Sequence, residues 1–357
     1  MKKILSIALI FFITVACAHA QIRKYSNEFL NIGVGARGLA MSGAQTASVN
    51  DVYSGYWNPA GLMHFDGNIS GALMHSEYFA GIAKYDFGSV VLPISNDEKR
   101  LSFSLIRFGV DDIANTLFLV EDDGSINYDN VTSFSQAQYA FITSFASKTG
   151  IKGLNWGVNV KILHNKVGTF ASSWGVGIDG GVQYEKNNLL LGATLKDVTT
   201  TYNAWSFNFT EAEQQALVDA DNIIPKNSTE LTAPKLVLGG AYKLKISDKV
   251  KMLPELNFDI TTDGKRNVLI AAKPFSIDPK FGVEADYSNL IYLRAGIGNF
   301  QRATNDIDGS KIVTLQPNIG VGLKIKSVSI DYALTDLGNL SQALYSHVFS
   351  LKIEIKN

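Results

Sequence analysis

The side chains that most often carry chemistry are few in this chain and poorly spaced for it. There are five histidines: His19, His64, His75, His164 and His347. None forms an H-x-x-x-H pair or stands at ligand spacing from a carboxylate, so no zinc cage is written here. No G-x-S-x-G turn occurs to expose a nucleophilic serine. Two carboxylate clusters exist, Asp111-Asp112 and Glu121-Asp122-Asp123. The second has the oxygen donors of a loose divalent-cation site, but an acidic run in a loop is first of all a solvated loop. No polar triad can be assembled. The chain therefore reads as a non-enzyme, with no catalytic, cofactor or metal residues.

Its N-terminus has the layout of an export signal. Lys2 and Lys3 precede an apolar run from Ile4 to Ala16, and Ala18-His19-Ala20 is an A-x-A cleavage site. Residues 1–20 are set aside on that basis, with Ala18 and Ala20 marking the cut. Cleavage removes Cys17, the only cysteine, and with it all disulfide and thiolate chemistry. It leaves 30 basic against 33 acidic residues, a net charge of −3, which is too balanced to point to nucleic acid. No Pro/Ser-rich linker divides the remainder. No later apolar run is long enough for a membrane helix.

The dominant pattern is alternation with a period of two. Phe349, Leu351, Ile353 and Ile355 oppose Ser350, Lys352, Glu354 and Lys356. Ile319, Val321, Leu323 and Ile325 oppose Gly320, Gly322, Lys324 and Lys326. Trp174, Val176, Ile178, Val182 and Tyr184 oppose Gly175, Gly177, Asp179, Gln183 and Glu185. A soluble sandwich turns such an apolar face inward, whereas a membrane barrel turns it to lipid.

Three features favour the barrel. Periodic segments exceed ten residues, as a tilted membrane strand requires. Long connections near 117–133, 206–234 and 301–311 follow odd-numbered strands, and the turns after even ones are short and polar. Aromatic residues recur near strand ends (Tyr78, Phe79, Tyr85, Phe87, Tyr287, Tyr292, Tyr345, Phe349), as interfacial girdles do. The expected fold is all-β: a transmembrane antiparallel barrel of about 14 strands beginning near 69, 81, 100, 134, 154, 172, 188, 235, 250, 268, 291, 312, 327 and 345. Lys324, Lys352 and Lys243 face its lumen, where Asp331 and Glu354 are the natural partners. Leu163, Val237 and Leu253 interrupt the polar face. In the connection after residue 206, Thr210 and Glu213 have capping-box spacing ahead of a short helix.

Residues 29–65 do not alternate. They read FLNIGVGARGLAMSGAQTASVNDVYSGYWNPAGLMHF. Small residues give close-packing surfaces. Pro59 suits the first turn of a short helix with Asn58 as its N-cap, and Gly61 suits that turn's end. A compact segment of this kind can fill a barrel mouth without leaving backbone groups unpaired. Residues 21–67 are therefore expected to be an N-terminal plug and residues 68–357 the barrel. The plug motif is Gly35, Arg37, Gly38, Trp57, Asn58, Pro59, Ala60 and Gly61.

The stretch GARGLAMSGAQTASVNDVYSGYWNPAGL also resembles the N-terminal signature of the PorV/PorQ family of outer-membrane barrels, common in Bacteroidetes. That family is itself similar to FadL-type transporters of hydrophobic compounds, which share the Asn-Pro-Ala element. TEAEQQAL, NIIP and TAPKLVLGGAY resemble the family's middle, and SVSIDYALTDLGNLSQALYSHVFSLKIEI its last hairpin. The chain departs from many barrel proteins in ending on Lys356-Asn357 rather than an aromatic. The resemblance implies a Gram-negative outer-membrane protein in contact with lipid. It further implies an accessory of type IX secretion, working by contacts with the translocon and with exported proteins that bear C-terminal sorting domains. The alternative is a FadL-like transporter with a lipophilic ligand in the lumen.

Overall fold

The computed structural model describes residues 21–22, 26–65, 69–78, 81–95, 98–121, 123–304, 309–337 and 345–355. The export signal expected over residues 1–20, including Cys17, Ala18 and Ala20, lies outside the described residues, as do Phe79, Asp122 and the final Lys356-Asn357.

Fourteen strands form one closed antiparallel barrel. In chain order they are β1 (Ile69–Tyr78), β2 (Ala83–Ile94), β3 (Lys99–Asn115), β4 (Thr132–Lys148), β5 (Leu154–Val167), β6 (Ala171–Lys186), β7 (Leu189–Lys196 and Thr201–Phe207) and β8 (Ser228–Thr232 and Lys235–Tyr242). They continue as β9 (Val250–Thr261), β10 (Ser276–Tyr287), β11 (Ile291–Thr304), β12 (Lys311–Ile325), β13 (Val328–Thr335) and β14 (Ser346–Ile355). Each strand pairs with its neighbours in sequence, and β14 closes on β1 from His347↔Glu77 down to Ile355↔Ile69. Closure leaves no strand edge to face lipid. Strands β7 and β8 are each written as two pieces because β6 pairs with both halves of β7, and each half of β8 pairs with one of them.

Period two becomes two chemically opposite faces. Along β5, Asn155, Asn159, Lys161, Leu163 and Asn165 are buried, while Trp156, Val158, Val160 and Ile162 are exposed. The exposed set continues around the wall through Leu73, Phe103, Phe141, Val176, Leu238, Leu256, Phe281, Leu293, Val321 and Leu351. This inverts a soluble protein: the buried set is rich in Ser, Asn, Asp, Glu, Lys and Arg, and the outside is aliphatic. An apolar band of this extent is stable against lipid, not water.

Turns after even-numbered strands are short, as between Lys186 and Leu189 or Ile325 and Val328. The long connections follow β3, β7 and β9; the one expected near 301–311 is short, from Thr304 to Lys311, and the third long one runs instead from Thr261 to Ser276. The one after β7 holds the helix Glu211–Asp219, with Thr210 and Glu213 forming both halves of a capping box.

Two expectations about the strands and their aromatics need correcting. The strand expected near 268 begins at Ser276; the apolar run before it forms only the short piece Ile270–Ala271, which pairs back onto β10. Tyr78, Tyr85 and Phe87 are not girdle residues. All three are buried on the inner face, where Phe87 stacks on Tyr53 at 5.5 Å between ring centroids. Tyr292 is on the inner face too, beside buried Arg294, whereas Tyr287, Tyr345 and Phe349 do face outward.

Candidate site at the long-loop end of the lumen

Residues 26–65 touch the inner faces of strands on every side of the barrel. The segment bonds to β14 through Ala36 N, which donates to Ser350 Oγ at 2.8 Å, and to β9 through Ala47 N, which donates to Glu255 Oε1 at 2.8 Å. Asn159 Nδ2 of β5 donates to Gly55 O at 2.8 Å, and Thr194 Oγ1 of β7 to Trp57 O at 3.3 Å. The segment runs the height of the barrel. Its start, Asn27 to Asn31, lies among strand ends next to the long connections. Its end is held at the short-turn side, where Arg100 donates to Phe65 O at 3.1 Å.

Part of the motif meets at Trp57, while Arg37, Asn58 and Pro59 contact separate strands of the wall. Trp57 is the centre. Its Nε1 donates to Val34 O at 3.0 Å, and Tyr56 meets it edge-on at 4.8 Å. Gly33, Gly38 and Gly43 form its socket: a Cβ on Gly38 would fall 2.8 Å from the indole. Gly35 opens the helix Ala36–Ala40 with φ 78°, a left-handed value that favours glycine.

Asn58 caps the 3₁₀ helix Pro59–His64 by accepting from Ala60 N at 3.2 Å. Its amide also donates to Thr46 O at 2.9 Å and to Val182 O at 3.0 Å, tying the corner to β6. The helix runs on past Gly61, so that residue does not end it. A side chain on Gly61 would instead run into the Val49 carbonyl oxygen. The wall matches the corner with glycine: a Cβ on Gly157 would lie 2.6 Å from the Pro59 carbonyl carbon. Gly157→Val is therefore expected to abolish the native seating of the corner. Limited proteolysis of residues 35–65 would check this; protection equal to wild type would refute it.

Charge clamps the segment to the wall. Arg37 donates to Glu284 from Nε at 2.8 Å and from a terminal nitrogen at 3.2 Å, and to Gln45 Oε1 at 2.7 Å. Glu284 also accepts from Arg294 at 2.6 Å, and Arg294 reaches Asp331 at 2.6 Å. Asp51 holds Lys352 at 2.8 Å. Lys324 pairs with Glu354 as expected from sequence, but Lys243 reaches Glu185, and Asp331 is taken by Arg294.

Burial alone would raise the Asp51 pKa, yet the Lys352 ammonium and the Arg37 guanidinium hold it below the usual carboxylate value. A lowered folded-state pKa contributes stability above the unfolded value, and that stability is lost as pH falls through the folded one. The clamp should therefore be intact at neutral pH and weaken only below about 4. Proteolytic protection of the segment measured against pH should show this loss, and Asp51→Asn should flatten it.

Above the segment, at the long-loop end, opens a cavity of about 1160 Å³. The inner segment brings Phe29, Ile32, Leu39 and Trp57 to it, interleaved with the polar Ser26, Asn27, Glu28, Asn31 and Ser42. The cavity wall is mostly polar, with Lys235, Asp259, Lys280 and Gln316 among the lining residues. Sequence reasoning found Trp57 but not the lysines, which come from separate strands with no motif to join them. Of the three apolar interruptions, Leu163 and Val237 are buried and Leu253 packs beside Ala47, Leu190 and Ala241. Among the described residues no group of three His, Cys, Asp or Glu is arranged to hold a metal.

No family model matches the sequence, and no curated protein matches it. The fold, in contrast, is known. A solved structure of the CymD monoaromatic hydrocarbon channel aligns with a TM-score of 0.55 at 12% identity, covering 91% of this chain and 98% of that one. The toluene transporter TbuX of Ralstonia pickettii gives 0.53 at 12%, covering 90% and 98%. A FadL homologue from Pseudomonas aeruginosa gives 0.54 at 12%, covering 89% and 97%. This chain shares with them the FadL-like 14-stranded barrel fold.

Proposed function

We propose that this protein is an outer-membrane conduit for small, largely apolar molecules. Ligand enters the cavity at the long-loop end, and residues 21–67 act as the plug that separates the cavity from the short-turn side. In bacterial barrels the long loops lie outside the cell, so the cavity faces the exterior. Export by a cleaved signal over residues 1–20 belongs to the same reading, as does a Gram-negative outer membrane as the location. One observation carries the proposal: an open cavity of ligand size into which the inner segment presents Phe29, Ile32, Leu39 and Trp57. The like-folded channels and transporters of monoaromatic hydrocarbons and toluene support it over an accessory role in type IX secretion. The secretion reading rests on the sequence resemblance to the PorV/PorQ family.

The test is uptake of radiolabelled toluene by proteoliposomes carrying the mature protein. Uptake several-fold above that of empty liposomes is expected. Uptake equal to that of empty liposomes, together with exported proteins co-purifying from the native membrane, would overturn the conduit in favour of the accessory.

A further inference from the structure

Beneath the cavity, between the inner segment and the wall, lies a second and much smaller space of about 20 Å³. That is room for one water or one small ion, and too little for a hydrocarbon. Three lysines and one aspartate line it: Lys196, Lys235, Lys280 and Asp259. It shares Asn31, Gly43, Trp57, Lys235, Asp259 and Lys280 with the larger cavity and so opens into it.

The charges do not balance. Asp259 holds two of the ammoniums, Lys280 at 2.9 Å and Lys235 at 3.4 Å. Lys235 also donates to Asn31 Oδ1 at 2.7 Å. Lys196 makes no ion pair among the described residues. Its ammonium instead lies 4.4 Å from the centre of the Tyr56 ring and 5.9 Å from that of Trp57. It also stands directly opposite Lys235 in the β7–β8 ladder, a like-charge pairing that destabilises a sheet.

Other carboxylates act on the cluster without entering the space. Asp179 and Asp197 both hold Lys161 at 2.6 Å, and Asp179 also attracts Lys196 from there. Asp278 lines the upper cavity and attracts Lys280 and Lys235, which still leaves the cations in excess.

We propose that this space is a binding site for a single anionic group, seated between Lys196 and Lys235 with the Tyr56 and Trp57 rings beside it. The anion relieves the Lys196–Lys235 repulsion and completes the lysine cluster. It is either a free halide-sized ion or the carboxylate of a ligand whose apolar body rests in the larger cavity. The second source rests on the conduit reading; the first does not.

The probes are bromide, located by anomalous diffraction from crystals of the mature protein, and benzoate against toluene, compared by calorimetry in neutral detergent. A bromide peak in contact with the Lys196 and Lys235 ammoniums is expected, and it should vanish in Lys196→Gln. Lys280→Gln, which keeps the opposed pair, serves if the first variant fails to fold, and it should weaken bromide at least tenfold. Displacement of bromide by benzoate identifies the ligand carboxylate as the source; bromide indifferent to benzoate identifies the free ion. Absence of bromide, with benzoate and toluene bound alike by wild type and Lys196→Gln, would overturn the site and leave the conduit standing. Bromide bound while neither aromatic binds would sink the conduit and leave the site.

Discussion

Glu284→Ala is expected to destabilise the seated inner segment by about 3–5 kcal/mol, the range for removing one partner from a buried ion pair. The reason is arithmetic of charge. Arg37, Glu284, Arg294 and Asp331 form a chain of two cations and two anions, each with 13% or less of its side chain exposed. Deleting Glu284 leaves Arg294 with Asp331 alone and takes from Arg37 the carboxylate it is paired with. Arg37→Met should cost less, because Glu284 then keeps Arg294. The double variant Arg37→Met/Glu284→Ala should cost less than the sum of the singles, since it restores balance. Heat-modifiable gel mobility and proteolysis of the segment across this cycle would measure it. Strict additivity would show that the four charges do not act as one network.

The second large effect is Trp57→Ala. Emptying its glycine socket removes the indole, its hydrogen bond to Val34 and the edge contact with Tyr56. Truncating a buried Trp to Ala costs about 3–5 kcal/mol. The strand ladders do not involve this side chain, so the barrel should still close. The segment should loosen inside it, and conductance in planar bilayers should rise from near zero to discrete openings. A closed, silent barrel in Trp57→Ala would show that the indole does not hold the segment in place.

Much of the barrel was legible because period two survives wherever one strand face meets lipid and the other a polar lumen. Strand starts expected near 154, 250 and 291 fall at Leu154, Val250 and Ile291. The pattern failed where both faces are apolar. In β2, Tyr85 and Phe87 pack on the inner segment while Val90 and Leu92 lie on the opposite face, so direction could not be read from alternation there. It failed again before Ser276, where apolar residues lie ahead of Pro274, which lacks the donor a ladder needs.

The Asn58-Pro59 corner was legible because capping is local. The lysine cluster was not. Lys196, Lys235 and Lys280 sit on β7, β8 and β10, and only the pairing of the folded sheet brings them to one place.

The seam between β14 and β1 has a consequence for the order of assembly. Both halves of that seam hold the inner segment: Gly35 N donates to Met74 of β1, while Ser350 and Lys352 of β14 hold Ala36 and Asp51. More than 300 residues separate Ala36 from Ser350 along the chain. The bonds that seat the inner segment are therefore complete only when both the first strand and the last are in place. Sequence-distant contacts of this kind make folding slow, and here they make the final strand's arrival the step that locks wall and contents together.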